Sequence, residues 1–370
     1  MTDDLITDLS KISGLSVIAR NSAFTFKGRN ARIEDIASEL GVRYVLEGSV
    51  RREGGTIRIN AQLIDAKTND HVWGETFDRP FTDIFSLQDE VAEKIVSNLS
   101  IKLTPEEKGR IAHHETNSVK AHDLVLRARQ QESFFNKEAS AQATALLKHA
   151  ISVDPGYAEA YARLSILMGI SARLRWVDDF AGTHEEALKM ARKAVELDPD
   201  LPLAYFSLGR ILARPHFREY TQAIEAFQKT VQLDPNHADS YANLALVSIF
   251  IGNAKQASEF IATAMKLNPL FPFWYLHGRA MARYFLGNYD GAVEDLRQAA
   301  DRNPRVFFVR YWLAAALAMA GQAEDAEWEV EEWQTMGESM TRDEMLAINP
   351  ITYPPYREKL TEGLKKAGYQ

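Results

Sequence analysis

Residues able to do chemistry are thinly spread in this chain. His113, His114 and Glu115 stand together, but adjacent side chains point apart, and the His-Glu-x-x-His spacing that sets two imidazoles on one helix face is missing. They read as part of a solvated linker. His149, His184 and His237 share no spacing and read as surface or turn residues. Glu324, Asp325, Glu327, Glu329, Glu331 and Glu332 crowd one stretch; a solvated acidic face is the ordinary reading, and a docking patch anchored by Trp328 and Trp333 is the alternative. There is no phosphate loop ending in Gly-Lys-Ser/Thr, no Gly-x-Gly-x-x-Gly and no Gly-x-Ser-x-Gly elbow. The absence of cysteine removes thiolate nucleophiles, thiolate metal sites and disulfides. No catalytic residue, no metal and no cofactor is expected.

The chain does carry side chains suited to recognition. Phe206, Arg210, Arg214, Asn243, Leu246, Phe250, Trp274, His277, Tyr284, Phe308 and Tyr311 recur at related places in successive segments. Aromatics and arginines dominate the energetics of protein interfaces, and Asn243 could bond the main chain of an extended peptide. Several of these aromatics could equally pack between neighbouring helices.

The elements that position them are marked by punctuation. An acidic or amide residue precedes proline at Asp154-Pro155, Asp198-Pro199, Asp234-Pro235, Asn268-Pro269 and Asn303-Pro304, with proline spacings of 44, 36, 34 and 35. Proline cannot continue a helix and pushes its predecessor out of the α region. A period near 34 signals helical hairpins stacked in a solenoid. After Pro235, the residues Tyr241, Leu244, Ala245, Ala257, Ile261, Ala264 and Pro269 resemble the tetratricopeptide repeat pattern position by position. The unit after Pro199 repeats it, and the unit after Pro155 carries an insertion around Arg173 to Thr183. About six hairpins are expected over residues 120–340, followed by a capping segment at 341–370 in which Leu360 and Leu364 face the last hairpin. In such an architecture the first helix of each hairpin lines a concave groove, and a peptide or protein partner in that groove is the expected ligand.

Residues 1–102 read as a small α/β domain with a mixed sheet: a helix with Leu5, Leu9 and Ile12, a strand "LSVIA", a helix with Ile33, Ile36 and Leu40, then two alternating strands around Gly54-Gly55. Ile57, Ile59, Ala61 and Leu63 point one way. A third strand, "HVWGETFD", leads to a helix with the apolar stripe Ile84, Leu87, Val91, Ile95 and Leu99. Residues 103–119 lose periodicity and read as a linker.

The segments "SVIARNSAFTFKG", "ELGVRYVLEGSVRREGGTIRINAQLIDAKTNDHVWGETFDR" and "DIFSLQDEVAEKIV" resemble the domain, similar to the amino-terminal domain of TolB, that precedes tetratricopeptide repeats in bacterial signalling proteins. This resemblance implies the carboxy-terminal half of a class III adenylate/guanylate cyclase; the same pair also follows kinase or winged-helix DNA-binding domains. The cyclase's metal-binding aspartates lie on a separate domain whose motifs this chain lacks. The expected function is therefore a non-catalytic scaffold or regulatory module. The alternatives are the regulatory part of a cyclase and the sensing half of a transcription regulator. The family's first strand has no counterpart here, so the sheet is expected to be completed from upstream or by a second copy, as a homodimer.

A net charge of -8 and a pI near 5.7 give no footprint for direct nucleic-acid binding. The start has neither the basic region nor the apolar run of a signal peptide, and no apolar run approaches the ~20 residues needed to span a bilayer. A cytoplasmic location is expected, or a periplasmic one if a membrane segment lies upstream.

Overall fold

The computed structural model describes residues 2–29, 31–80, 83–111, 116–304, 306–335 and 341–369. Their contacts divide the chain into two compact units. The first comprises Met1–Leu208, Lys229–His237 and Leu267–Leu270; the second comprises Gly209–Gln228, Ala238–Lys266 and Phe271–Gln370.

The first unit opens with three helices, α1 (Thr2–Ser10), α2 (Arg20–Phe24) and α3 (Ile33–Leu40), followed by strands β1 (Tyr44–Glu53), β2 (Thr56–Asp65) and β3 (Asp70–Pro80). The strands pair in the order β1-β2-β3. Among the described residues the sheet is antiparallel throughout, narrower than the mixed sheet expected, because each connection is a tight turn and a parallel neighbour needs a long crossover. Gly54, at φ 59, makes the two-residue turn between Glu53 and Thr56. The alternation of β2 places Ile57, Ile59, Ala61 and Leu63 on one buried face. Helix α4 (Ile84–Asn98) covers that face with Ile84, Leu87, Val91 and Ile95, all buried, while Leu99 is half-buried. The outer face of the sheet is wet, and its side chains bond across strands: Arg58 to Asp78, Asn60 to Ser49, Thr76 to Asn60.

The segment "LSVIA" is not a strand. It runs extended, but its main chain bonds to the turns between helical hairpins: Val17 N–H donates to Asn236 Oδ1 at 3.0 Å and Ala19 N–H to the Leu267 carbonyl at 2.8 Å. Strand-like sequence is satisfied there by a partner other than a strand. The stretch expected to be an irregular linker carries a short helix, α5 (Pro105–Ile111), started by Thr104 and Glu107, which cap each other's backbone N–H groups.

Paired helices follow: α6 (Val119–Glu132) with α7 (Lys137–Val153), α8 (Ala158–Arg173) with α9 (Phe180–Leu197), α10 (Pro202–Leu212) with α11 (Tyr220–Leu233), α12 (Ala238–Phe250) with α13 (Ala254–Leu267), α14 (Phe273–Phe285) with α15 (Tyr289–Arg302), and α16 (Phe307–Met319) with α17 (Ala323–Thr335). Small residues at the facing positions, such as Ala242, Ala257, Ala280 and Ala299, are fully buried and let the backbones approach. The Asp-Pro turns close as Asx turns, with Asp154, Asp198 and Asp234 accepting from the N–H two residues on at 2.9–3.0 Å. The tail forms α18 (Arg342–Ile348) and α19 (Pro354–Lys366).

Candidate functional site

The candidate recognition residues do not form one open row. Phe206 is buried in the first unit, its ring centred 4.6 Å from that of His237. In the second unit Arg210 and Arg214 are half-buried at the end of α10 and the turn after it. Asn243 spends its amide on its own helix, donating to the Asp239 carbonyl at 2.7 Å. Leu246 is half-buried and closes over Gly278. Trp274 is half-buried, edge-on to Tyr275 at 4.4 Å. His277 is buried with its ring 4.9 Å from that of half-buried Phe308. Its Nε2 finds no hydrogen-bond partner among the described residues, and burial pushes its pKa down to about 3, so the ring stays neutral.

Phe250, Tyr284 and Tyr311 converge on one object, the chain's own carboxy-terminal segment. The Phe250 carbonyl, at the end of α12, accepts from Thr352 N–H at 2.9 Å and Tyr353 N–H at 3.2 Å. The Tyr284 hydroxyl donates to the Lys359 carbonyl at 2.9 Å, and the Tyr311 hydroxyl accepts from Asn349 Nδ2 at 3.2 Å. Burial pushes both phenols well above their ordinary pKa, so both stay neutral hydroxyls. Further back, the Tyr220 hydroxyl donates to the Pro350 carbonyl at 2.6 Å and Arg218 donates to the Ala347 carbonyl at 3.0 Å. Helix α19 then lies against α16. Leu360 and Leu364 are fully buried, Tyr356 stacks on Phe285 with ring centres 3.9 Å apart and planes 2° from parallel, and Tyr369 meets the buried Trp333 at 4.6 Å. The tail packs on the last hairpin and also reaches residues on α11, α12 and α14. One sequence signal pointed to this. Asn349-Pro350 repeats the punctuation of the hairpin ends, and Asn349 closes the same Asx turn onto Ile351 N–H at 3.0 Å.

The acidic stretch is mostly a wet face. Glu324, Glu327 and Glu331 are exposed and Asp325 pairs with Arg297 at the surface, whereas Glu329 is buried and held by Arg310 at 2.9 Å. Trp328 is exposed and Trp333 buried. Asp295, wholly buried, is gripped by Arg279 at 2.6 Å and Arg283 at 2.9 Å, a network the repeat pattern did not announce. Of the scattered histidines, His184 is buried, His149 is exposed and His237 is half-buried. His113, His114 and Glu115 lie outside the described residues. Among the described residues no cluster of His, Asp and Glu is arranged to hold a metal, and no helix is long and apolar enough to cross a membrane. The insertion after α8 brings Trp176 against Phe135 at 5.8 Å and Arg175 over Phe180 at 5.4 Å, leaving Phe134, Phe135 and Phe180 exposed.

Tetratricopeptide repeat profiles match residues 180–238, 217–279 and 277–333. Residues 180–333 carry tetratricopeptide repeats. The chain is 44% identical over 213 residues, 58% of its length, to "Putative adenylate cyclase 3" of Rhizobium meliloti, and 28% identical over 138 residues, 34% of its length, to a DnaJ protein P58IPK homolog of Arabidopsis thaliana. It spans 36% and 28% of those two proteins, about a third of each. Among solved structures it is similar to pilF of Pseudomonas aeruginosa, with a TM-score of 0.47, 17% identity, and coverage of 60% of this chain and 96% of that one. The tetratricopeptide region is built from paired helices.

Proposed function

We propose that the chain is a non-catalytic module of a bacterial signalling system that holds a peptide or protein partner on the first-helix face of its repeats. The observation that carries this reading is that the face already receives polypeptide. Tyr284 and the Phe250 carbonyl, both on first helices, bond to tail main-chain atoms, as does Tyr220 at the start of the neighbouring α11, and any peptide of the same conformation would offer those atoms. The half-buried aromatics outside the tail's hydrogen bonds, Trp274 and Phe308, together with Arg210 and Arg214, supply further anchors.

A photo-reactive benzoylphenylalanine in place of Trp274 or Phe308 tests the reading in cells, with exposed Lys255 on α13 as the control site. The expected outcome is one discrete adduct from the first-helix positions and none from Lys255. The same ladder from all three positions would sink it.

The similarity to the Rhizobium meliloti protein supports a second, compatible reading, in which this chain is the regulatory part of a class III adenylate/guanylate cyclase working in the cytoplasm. An antibody against residues 120–340 would then detect a native protein well above 41.7 kDa. A native band at 41.7 kDa would leave the module standing alone. Completion of the sheet by a second copy would show as a dimer in sedimentation, since both β1 and β3 are edge strands among the described residues.

A further inference from the structure

We infer that the face built by α12, α14 and α16 is a peptide site whose resident ligand is the chain's own segment 349–369, and that a partner enters by presenting a segment of the same chemistry in its place. This rests on the scaffold reading above and adds the nature of the ligand and the manner of its admission.

The bound segment has two parts, each recognised differently. Residues 349–353 are extended and held chiefly through their main chain, by the Tyr220 hydroxyl on the Pro350 carbonyl and the Phe250 carbonyl under Thr352 and Tyr353. Asn349 adds its amide to Tyr311. These main-chain bonds fix conformation, and the fully buried Ile351 adds one side-chain anchor.

From Pro354 the segment is helical, started by a proline whose missing N–H costs nothing at that position. Here side chains decide. Tyr356, Leu360 and Leu364 recur every fourth residue and so share one face. Tyr356 lies flat on Phe285 and receives a bond from Ala254 N–H on its hydroxyl at 3.3 Å. Gly363 is the point of closest approach: a Cβ there would collide with the Tyr284 hydroxyl and come within 3.2 Å of Ala315 Cβ. The site therefore reads an extended stretch followed by a helix with an aromatic residue, leucine four residues later, glycine three after that, and leucine next. The Tyr353 ring, 40% exposed, lies over Gly252, so that end of the occupant fits less completely than a core helix would.

A tethered occupant competes at an effective concentration in the millimolar range. A free ligand therefore binds weakly until the tether is weakened, and the apparent affinity scales with the fraction of open site.

The test uses the full chain and a fluorescein-labelled synthetic peptide of residues 349–369, followed by anisotropy. Leu360→Ala with Leu364→Ala loosens the resident tail and leaves the site untouched. The peptide is expected to bind this variant at least about tenfold more tightly than wild type, and adding Phe285→Ala should reverse the gain. A Gly363→Ala peptide should bind more weakly although it is the better helix former.

Should the double variant lose helical content beyond the tail, hydrogen exchange on the wild type decides, with α19 amides expected to exchange faster than those of α14 and α16. No tighter binding to the folded variant, or exchange of α19 only together with α14 and α16, would mean that the tail is a permanent part of the core. In that event the scaffold reading still stands or falls on the adducts at Trp274 and Phe308.

Discussion

The two ends of the chain are fastened to helical hairpins by opposite chemistry. In the first unit the amino-terminal segment is held by polar clamps. Asn236 donates to the Ser10 and Leu15 carbonyls and accepts from Val17, and the Ser22 hydroxyl bridges Asn268 and Leu270 N–H. Buried Glu107 takes the Ser13 N–H and hydroxyl, while Arg129 reaches Asp3 and Asp4 at 3.0 and 3.2 Å. In the second unit the carboxy-terminal segment is held mainly by apolar burial, with Leu360, Leu364 and Ala367 wholly out of water. The residues that end hairpins thus serve twice in the first unit, closing a turn and gripping a second segment. Directional polar contacts fix register, whereas apolar ones supply most of the free energy.

The largest effect should come from breaking the apolar end. Leu360→Ala and Leu364→Ala each remove a fully buried side chain, at about 2–5 kcal/mol apiece. Urea unfolding followed by the emission of Trp312 and Trp333, both buried in the second unit, should show a clearly lowered midpoint. Hydrogen exchange of β2 and α4 should be unchanged. Equal loss of protection in the sheet would erase the distinction between the two attachments.

Asn236→Ala should act more locally. It strands the Ser10 and Leu15 carbonyls and the Val17 N–H, at about 1–3 kcal/mol for each group left without a partner. Limited proteolysis should cut between residues 10 and 19 while the helical signal holds. An uncut segment would show that the neighbouring Ala19–Leu267 bond and the Ser22 bridge suffice.

These clamps also show how far the sequence could be read. The hairpins were legible because proline punctuation and small residues at close contacts are local requirements, restated in every repeat. The β2 alternation and the α4 stripe were legible for the same reason, since each follows from burying one face. "LSVIA" misled because an apolar, β-branched run signals only that extended backbone is favoured, not which partner satisfies it. Asn236 and Asn268 looked like ordinary turn residues, and their second role depends on a segment more than 200 positions away. The site followed the same division. The repeat's spacing picked out Phe250, Tyr284 and Tyr311, but nothing local in those residues indicates that the chain itself fills the surface they line.

The comparison sharpens further with pH, where the expected effects are smaller and the lowered carboxyls of the first unit respond in a different window from the histidines. Burial alone would raise the carboxyl of Glu159, but the arginines beside it, Arg163 and Arg129, more than offset it and hold it below its ordinary value of 4.5. Glu107 is likewise held down, its burial outweighed by the hydrogen bonds from Thr104 and Ser13. A lowered carboxyl stabilises the fold fully above its unfolded value and loses that contribution as pH falls through the folded one. These two carboxylates should therefore keep their contribution at pH 5 and lose it only below about 4. His277 behaves differently: burial lowers its pKa from 6.5 to about 3, so the unfolded chain takes up a proton there first, and the second unit begins to lose stability as pH drops below 6.5. Thermal midpoints at pH 7.5 and 5.5 should thus fall for wild type and fall less for His277→Leu, which also removes the unpartnered Nε2, the remaining fall coming from His122 in the first unit, whose pKa burial also lowers. A His277→Leu chain as acid-sensitive as wild type between those two values would place the titrating group elsewhere.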